Sequence, residues 1–191
     1  MARGVEWCNK HISSEHPRFS FVLADVYNGE YNPRGRLPAC EYKFPFPDNS
    51  FDVVLAISVF TNMRSEDVAH YVSEISRVLR AGGRFISTYF LLNRESLALM
   101  ETGASTFRFR HRMGPCQVVT PRAPELGIAH DESHILQVYD RCGLEVVGPI
   151  IYGGWCGRPP VWSTVADSGD QDILLARKPE SGVGIPRPYE V

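Results

Sequence analysis

Phe51-Asp52-Val53-Val54-Leu55-Ala56-Ile57-Ser58 is continuously apolar after its aspartate and rich in β-branched residues. That is the pattern of a strand buried on both faces. Downstream, Ser65–Arg80 carries Val68, Tyr71, Val72, Ile75, Val78 and Leu79 at helical i, i+3, i+4, i+7 spacing. Ser65 suits the N-cap, and Glu66 and Asp67 suit the positive end of the helix. Arg77 and Arg80 suit the other end, where Gly82 or Gly83 offers a left-handed stop. Arg84–Leu92 then reads as a second strand. Strands alternating with helices specify an α/β fold with a largely parallel sheet.

Working outward, residues 4–16 read as a helix, with Val5, Cys8 and Ile12 on one face and Pro17 as its stop. Phe19–Ala24 is a short apolar run ending at Asp25 and reads as a buried strand. Residues 28–49 are rich in turn signals. Asn93 caps a short helix reaching about Glu101, and residues 102–130 read as an irregular insertion. Asp131–Cys142 places Ile135, Val138, Tyr139 and Cys142 on one helical face, ended by Gly143. Leu144–Tyr152 and Asp172–Lys178 read as strands with no helix between them, which predicts antiparallel pairing at one edge. The domain is expected to span 1–178. The tail 179–191, rich in proline and glycine, is expected to be disordered.

The chain has 191 residues, enough for one domain with its own core. A formal net charge of −2 gives no general reason to expect nucleic acid or an anionic membrane as a partner. No apolar run approaches the roughly 20 residues of a membrane-spanning helix, and the N-terminus has no apolar signal core. The five cysteines are scattered and odd in number, which fits reduced thiols in a cytoplasmic protein better than a zinc site or a disulfide framework.

Three ordered segments resemble the class I S-adenosylmethionine-dependent methyltransferases. They are the strand ending in Ala24-Asp25-Val26; the run Phe44-Pro45-Phe46-Pro47-Asp48-Asn49-Ser50-Phe51-Asp52-Val53-Val54 with Ser58-Val59-Phe60-Thr61 after it; and Glu74-Ile75-Ser76-Arg77-Val78-Leu79-Arg80-Ala81-Gly82-Gly83-Arg84-Phe85. The resemblance covers roughly residues 4–178. It implies S-adenosylmethionine as cofactor. Asp25 would accept a hydrogen bond from the adenine amino group, and Val26 would offer its backbone N–H to the ring. Ser58 and Val59 would lie beside the methionine part, and Phe60, Thr61 and Asn62 would face the substrate. Asn62 stands where relatives often carry histidine, which removes a candidate general base. No catalytic residue is assigned. Methyl transfer is an in-line displacement that needs mainly orientation and electrostatic support.

A complete domain of that family opens with a strand, a glycine-rich GxGxG turn and a helix, and then a second strand ending in an acidic residue. The first residues here already correspond to the helix after that second strand. The resemblance therefore implies a truncated Rossmann-like sheet, mostly parallel with an antiparallel edge strand, whose first two strands are absent. It leaves Phe51–Ser58 with an open edge, a feature that promotes pairing with another chain. Two functions remain open: a methyltransferase acting on a small molecule, inactive in this shortened form if the missing part is essential, and a non-catalytic module that pairs through the open edge with a second copy or a partner chain.

Three other features carry weaker chemistry. His130 and His134 share i, i+4 spacing, but Asp131 replaces the glutamate of a zinc-protease helix and no third ligand is evident, so no metal is assigned and an ordinary helix-start turn is the preferred reading. Cys156 reads as a partly buried loop thiol. Arg108, Arg110, His111 and Arg112 form a basic cluster around Phe109. A solvated loop face explains it more readily than an acidic or phosphate-bearing ligand.

Overall fold

The computed structural model describes residues 2–159 and 171–180. The chain divides into two compact units, residues 1–42 and 43–191. Most of the tail expected to be disordered lies outside the described residues.

In the first unit, α1 (Ala2–Cys8) continues into a wider turn at Asn9–Ser13, ending before Pro17. The Asn9 amide brackets Phe21, donating to its carbonyl at 2.9 Å and accepting its N–H at 3.2 Å. The strand expected at Phe19–Ala24 does not form. That segment has no ladder partner among the described residues, and Phe19, Val22 and Leu23 are exposed rather than buried. A strand is stabilised by its neighbours, so an apolar run without one stays irregular. What remains is a single parallel bridge from Val26 to Leu37. Gly35 is needed beneath it, because a Cβ there would lie 2.2 Å from the Val26 carbonyl oxygen.

The second unit begins with β1 (Phe51–Ala56), two residues shorter than expected, followed by α2 (Ser65–Val78) and β2 (Leu79–Tyr89). β1 and β2 are parallel, in register from Val53↔Arg84 to Ala56↔Ser87. The helix passes into β2 at Leu79 without a glycine stop. Gly82, at φ +75°, serves instead in the bulge between the Phe51↔Leu79 and Val53↔Arg84 pairings. Lys178 occupies the helix end, donating to the carbonyls of Ser76 and Leu79 at 2.8 Å each.

The chain then leaves this sheet. The strand expected at Arg84–Leu92 is split, and β3 (Leu91–Leu92) belongs to a second sheet. Helix α3 (Arg94–Thr102) follows, closed at its start by a capping box between Asn93 and Ser96 and at its end by left-handed Gly103. The expected irregular insertion, residues 102–130, carries three short strands between its turns and loops. β4 (His111–Met113), β5 (Cys116–Val118) and β6 (Ile128–Asp131) join β3 in the order β3-β6-β5-β4. Each of these strands is four residues or fewer, too short for a clear two-residue alternation.

Helix α4 (Glu132–Arg141), closed by left-handed Gly143, leads to β7 (Glu145–Val146) and β8 (Asp172–Arg177). The first sheet has the order β1-β2-β8-β7, with β2–β8 and β8–β7 antiparallel. The α/β class and the antiparallel closing strands expected from the sequence are present. The Leu144–Tyr152 strand is reduced to β7 and a bridge at Ile151.

Val68, Val72 and Ile75 of α2 and Ile135, Val138 and Tyr139 of α4 are buried, as are Phe85, Leu174 and Ala176 of the sheet. The Tyr139 hydroxyl bonds Ser87 at 2.7 Å and Tyr89 at 3.1 Å, so these buried polar groups are satisfied together. A second core gathers Phe90, Leu92, Phe109, Ala129, Trp155 and Cys156.

β1 departs from the expectation of burial on both faces. Val53, Leu55 and Ile57 alternate along one side and are 49%, 62% and 53% exposed. Among the described residues β1 pairs with β2 alone.

Candidate functional site

The motif leading into β1 is held by one arginine. Arg77 of α2 donates to the carbonyls of Phe44 and Phe46 at 3.0 and 2.9 Å, to Asp48 at 2.7 Å and to Glu74 at 2.7 Å. The Arg77 hydrogen bond holds the Glu74 carboxyl below its ordinary range. A guanidinium fork satisfies several acceptors at fixed angles, so the Phe44–Asp48 loop is locked to the helix and the entry to β1 is set.

Both parallel strands end on the same side, where open α/β sheets place their ligands. Ser58 lies there, just past β1, with φ at +53°. Its N–H donates to Thr88 Oγ1 at 2.8 Å, and its hydroxyl donates to Gln171 Oε1 at 3.3 Å. Thr88 also donates to that Gln171 oxygen, at 2.5 Å. A non-glycine residue in the left-handed region costs on the order of 1 kcal/mol or more and persists where neighbours hold it. Here three elements hold it: the end of β1, Thr88 of β2 and the residue before β8.

Val59 is 37% exposed beside this turn. Phe60–Asn62 forms a single 3₁₀ turn. Phe60 is fully buried, stacked on Tyr89 at 5.1 Å and edge-on to Phe85 at 6.2 Å. Thr61 is also buried, and its hydroxyl donates to Asn62 Oδ1 at 3.1 Å. The Asn62 amide donates to the Glu125 carbonyl at 2.7 Å, tying the turn to the loop before β6. Ser58 to Asn62 are thus brought together in the second unit, with the Phe60 and Thr61 side chains in the core.

Asp25 and Val26 lie in the first unit. Asp25 accepts from Arg36 Nε at 2.5 Å and from the Arg36 N–H at 3.3 Å. Its side chain is 34% exposed, and an ionised carboxylate has about four acceptor sites, so capacity is left for a further donor. The Val26 carbonyl accepts from Asn32 Nδ2 at 2.8 Å.

Sequence reasoning missed His130. It is not a helix-start residue but the buried centre of β6. Its Nε2 is 3.0 Å from the Phe60 carbonyl, which can only accept, so Nε2 carries the proton and Nδ1 accepts from the Ser65 hydroxyl at 3.3 Å. Ser65 is therefore the partner of His130 rather than an N-cap. With both nitrogens engaged, His130 has no lone pair for a metal. Among the described residues no group of three or more His, Cys, Asp or Glu is placed to hold a metal ion.

Burial pushes His130 down to about 4. Its unfolded value is about 6.5, so the folded protein binds fewer protons between these limits. The stabilising contribution is complete above pH 6.5 and is lost as pH falls toward 4, by about 3 kcal/mol. Burial pushes Asp172 the opposite way, up to about 6, but that group is common to wild type and to a His130→Gln variant. The stability difference between the two proteins, measured by urea unfolding, is expected to shrink by about 3 kcal/mol from pH 7 to pH 4. A difference that stays constant would show that His130 is not held neutral by burial.

Asp172 itself is completely buried at the start of β8. It accepts from the Leu91 N–H at 2.7 Å, Trp155 Nε1 at 2.8 Å and the Gly153 N–H at 2.9 Å, with Arg158 Nη1 at 3.5 Å. Arg158 also donates to Glu95 at 2.9 Å and lies 4.5 Å over the Tyr152 ring. This network joins the two sheets. Cys156 beside it is fully buried rather than partly so, and burial pushes its thiol up, away from nucleophilic reactivity.

Residues 4–87 match the family described as methyltransferase domain. That stretch includes Asp25, Val26 and the whole turn from Ser58 to Asn62. Among solved structures, the PH0226 protein of Pyrococcus horikoshii is 13% identical with a TM-score of 0.51, covering 94% of this chain and 68% of that one. A SAM-dependent methyltransferase of Methanosarcina mazei is 18% identical, with a TM-score of 0.49 and coverage of 79% and 72%. The 1,6-didemethyltoxoflavin-N1-methyltransferase of Burkholderia thailandensis, solved with S-adenosylhomocysteine, is 17% identical with a TM-score of 0.44, and this chain covers 49% of its length. At 13% identity the Pyrococcus horikoshii structure speaks to the fold alone, whereas the family match runs through the motifs themselves. Over residues 4–87, a little under half of its length, the chain is thus similar to the methyltransferase-domain family.

Proposed function

We propose that this chain binds S-adenosylmethionine and transfers its methyl group to a small molecule in the cytoplasm. The supporting observation is Ser58, held in a left-handed conformation at the carboxyl end of a parallel strand by Thr88 and Gln171. In this reading Asp25 and Val26 bind the adenine, and Ser58 and Val59 border the methionine part. The turn Phe60, Thr61 and Asn62 faces the acceptor, with buried Phe60 and Thr61 fixing the backbone. The cofactor supplies an electrophilic methyl on a sulfonium. The protein orients donor and nucleophile and excludes water, and no side chain is assigned as a base.

Calorimetric titration with S-adenosylmethionine tests this reading. Saturable micromolar binding is expected, weakened about tenfold or more by Asp25→Ala, the usual effect of losing one charge-assisted hydrogen bond. No saturation, or binding indifferent to Asp25, would reject it.

One observation favours a second reading, a non-catalytic module that pairs through β1. Val53 and Leu55 are exposed on β1, with Ile57 just past its end, and β1 has a single partner strand among the described residues. A stable oligomer by light scattering, with no cofactor binding, would select it over the enzyme.

A further inference from the structure

The basic cluster runs from Arg108 into β4. A cavity of about 140 Å³ lies between the end of α3 and this segment, lined among others by Met100, Glu101, Phe107, Arg108, Phe109 and Arg110. Phe107 and Phe109 stack at 5.8 Å, and Phe109 is 2% exposed within the second core. These rings and Met100 make an apolar floor that is part of the packed interior. Arg108 and Arg110 are exposed.

The two guanidiniums differ from their neighbour. Arg112 is committed to the Asp131 carboxylate through both of its terminal nitrogens. Among the described residues neither Arg108 nor Arg110 makes an ion pair, although Glu101 lines the same cavity. Two unpaired arginines against one carboxylate leave the cavity with excess positive charge. A guanidinium presents a planar fork of donors that matches a carboxylate. The space is close to the roughly 150 Å³ of a cavity that accepts benzene.

We propose that this cavity binds a single-ring aryl carboxylate, the ring against Phe107, Phe109 and Met100 and the carboxylate at Arg108 and Arg110. The site does not depend on the cofactor reading above, since it uses none of the same residues. It can stand if S-adenosylmethionine fails to bind, and fall if it binds.

Calorimetry on the full chain with benzoate, benzamide and inorganic phosphate tests both halves of the recognition. Benzoate is expected to saturate with a Kd on the order of 1 mM or tighter. Benzamide keeps the ring without the charge, and phosphate keeps the charge without the ring. Each is expected to bind about tenfold more weakly or worse. Arg108→Gln with Arg110→Gln is expected to reduce benzoate affinity by about tenfold or more with the melting temperature unchanged, since both side chains are exposed. Met100→Trp, which fills the floor, should reduce benzoate binding while leaving both arginines in place. Equal binding of benzoate and benzamide, tighter binding of phosphate than benzoate, or benzoate affinity untouched by the double substitution would each overturn the proposal.

Discussion

Replacing Asp172 with alanine is expected to destabilise the protein by about 3–5 kcal/mol, the range for removing one partner of a buried ion pair. Asp172 is the acceptor for three N–H donors from different segments: Leu91 at the start of the second sheet, Gly153, and the Trp155 indole. Alanine leaves all three without that acceptor. It also removes the carboxylate facing Arg158, whose side chain is 8% exposed and whose Nη2 already has no hydrogen-bond partner among the described residues. Asp172→Asn keeps one carbonyl acceptor but points two donors into a site full of donors, so it should fall between wild type and alanine. Urea unfolding followed by circular dichroism gives the comparison. A loss below about 1 kcal/mol for Asp172→Ala would mean that water replaces the carboxylate and the network contributes little.

Trp155→Ala is the second large effect, about 3–5 kcal/mol. Trp155 is 1% exposed, and its ring packs on Phe90 at 5.4 Å and Phe109 at 5.6 Å. Truncation opens a cavity in the second core and removes one of the two donors to Asp172 Oδ2, which keeps the Leu91 N–H. Trp155→Phe separates these effects: most of the packing is kept, so the remaining loss of about 1–3 kcal/mol reports the indole hydrogen bond. Because Trp155 and Asp172 share that bond, the double alanine variant should lose less than the two single losses added together. Strict additivity in the unfolding measurements would show that the 2.8 Å contact carries no energy.

The two effects concern the same feature, the passage between the sheets. That passage was invisible in the sequence. Arg84–Leu92 is one uninterrupted apolar-rich run, and nothing local marks the break between Tyr89 and Leu91. Asp172, more than eighty residues away, sets the break by taking the Leu91 N–H. His130 was hidden for a similar reason. Its burial depends on Ser65 and Phe60 from distant elements, and its neighbour Asp131 resembles an ordinary helix start.

Other parts were legible. The α2 periodicity, the Asn93 cap, the Gly143 stop and the antiparallel closing strands follow from local rules, because helix faces, caps and left-handed turns are decided within a few residues. Of the candidate site, sequence resemblance named residues but not what holds them. Ser58 was identifiable, while its left-handed backbone and the Thr88 and Gln171 bonds were not.

By itself, then, the sequence determined the α/β class, the run of helices from Ser65 to Arg141 and the family motifs. Tertiary structure alone decided which apolar runs became strands. Phe19–Ala24 and Phe51–Ala56 have the same local character, yet among the described residues only the second has a parallel neighbour to satisfy its backbone. Strand formation depends on a partner's N–H and C=O groups, and no pattern within one segment can supply them.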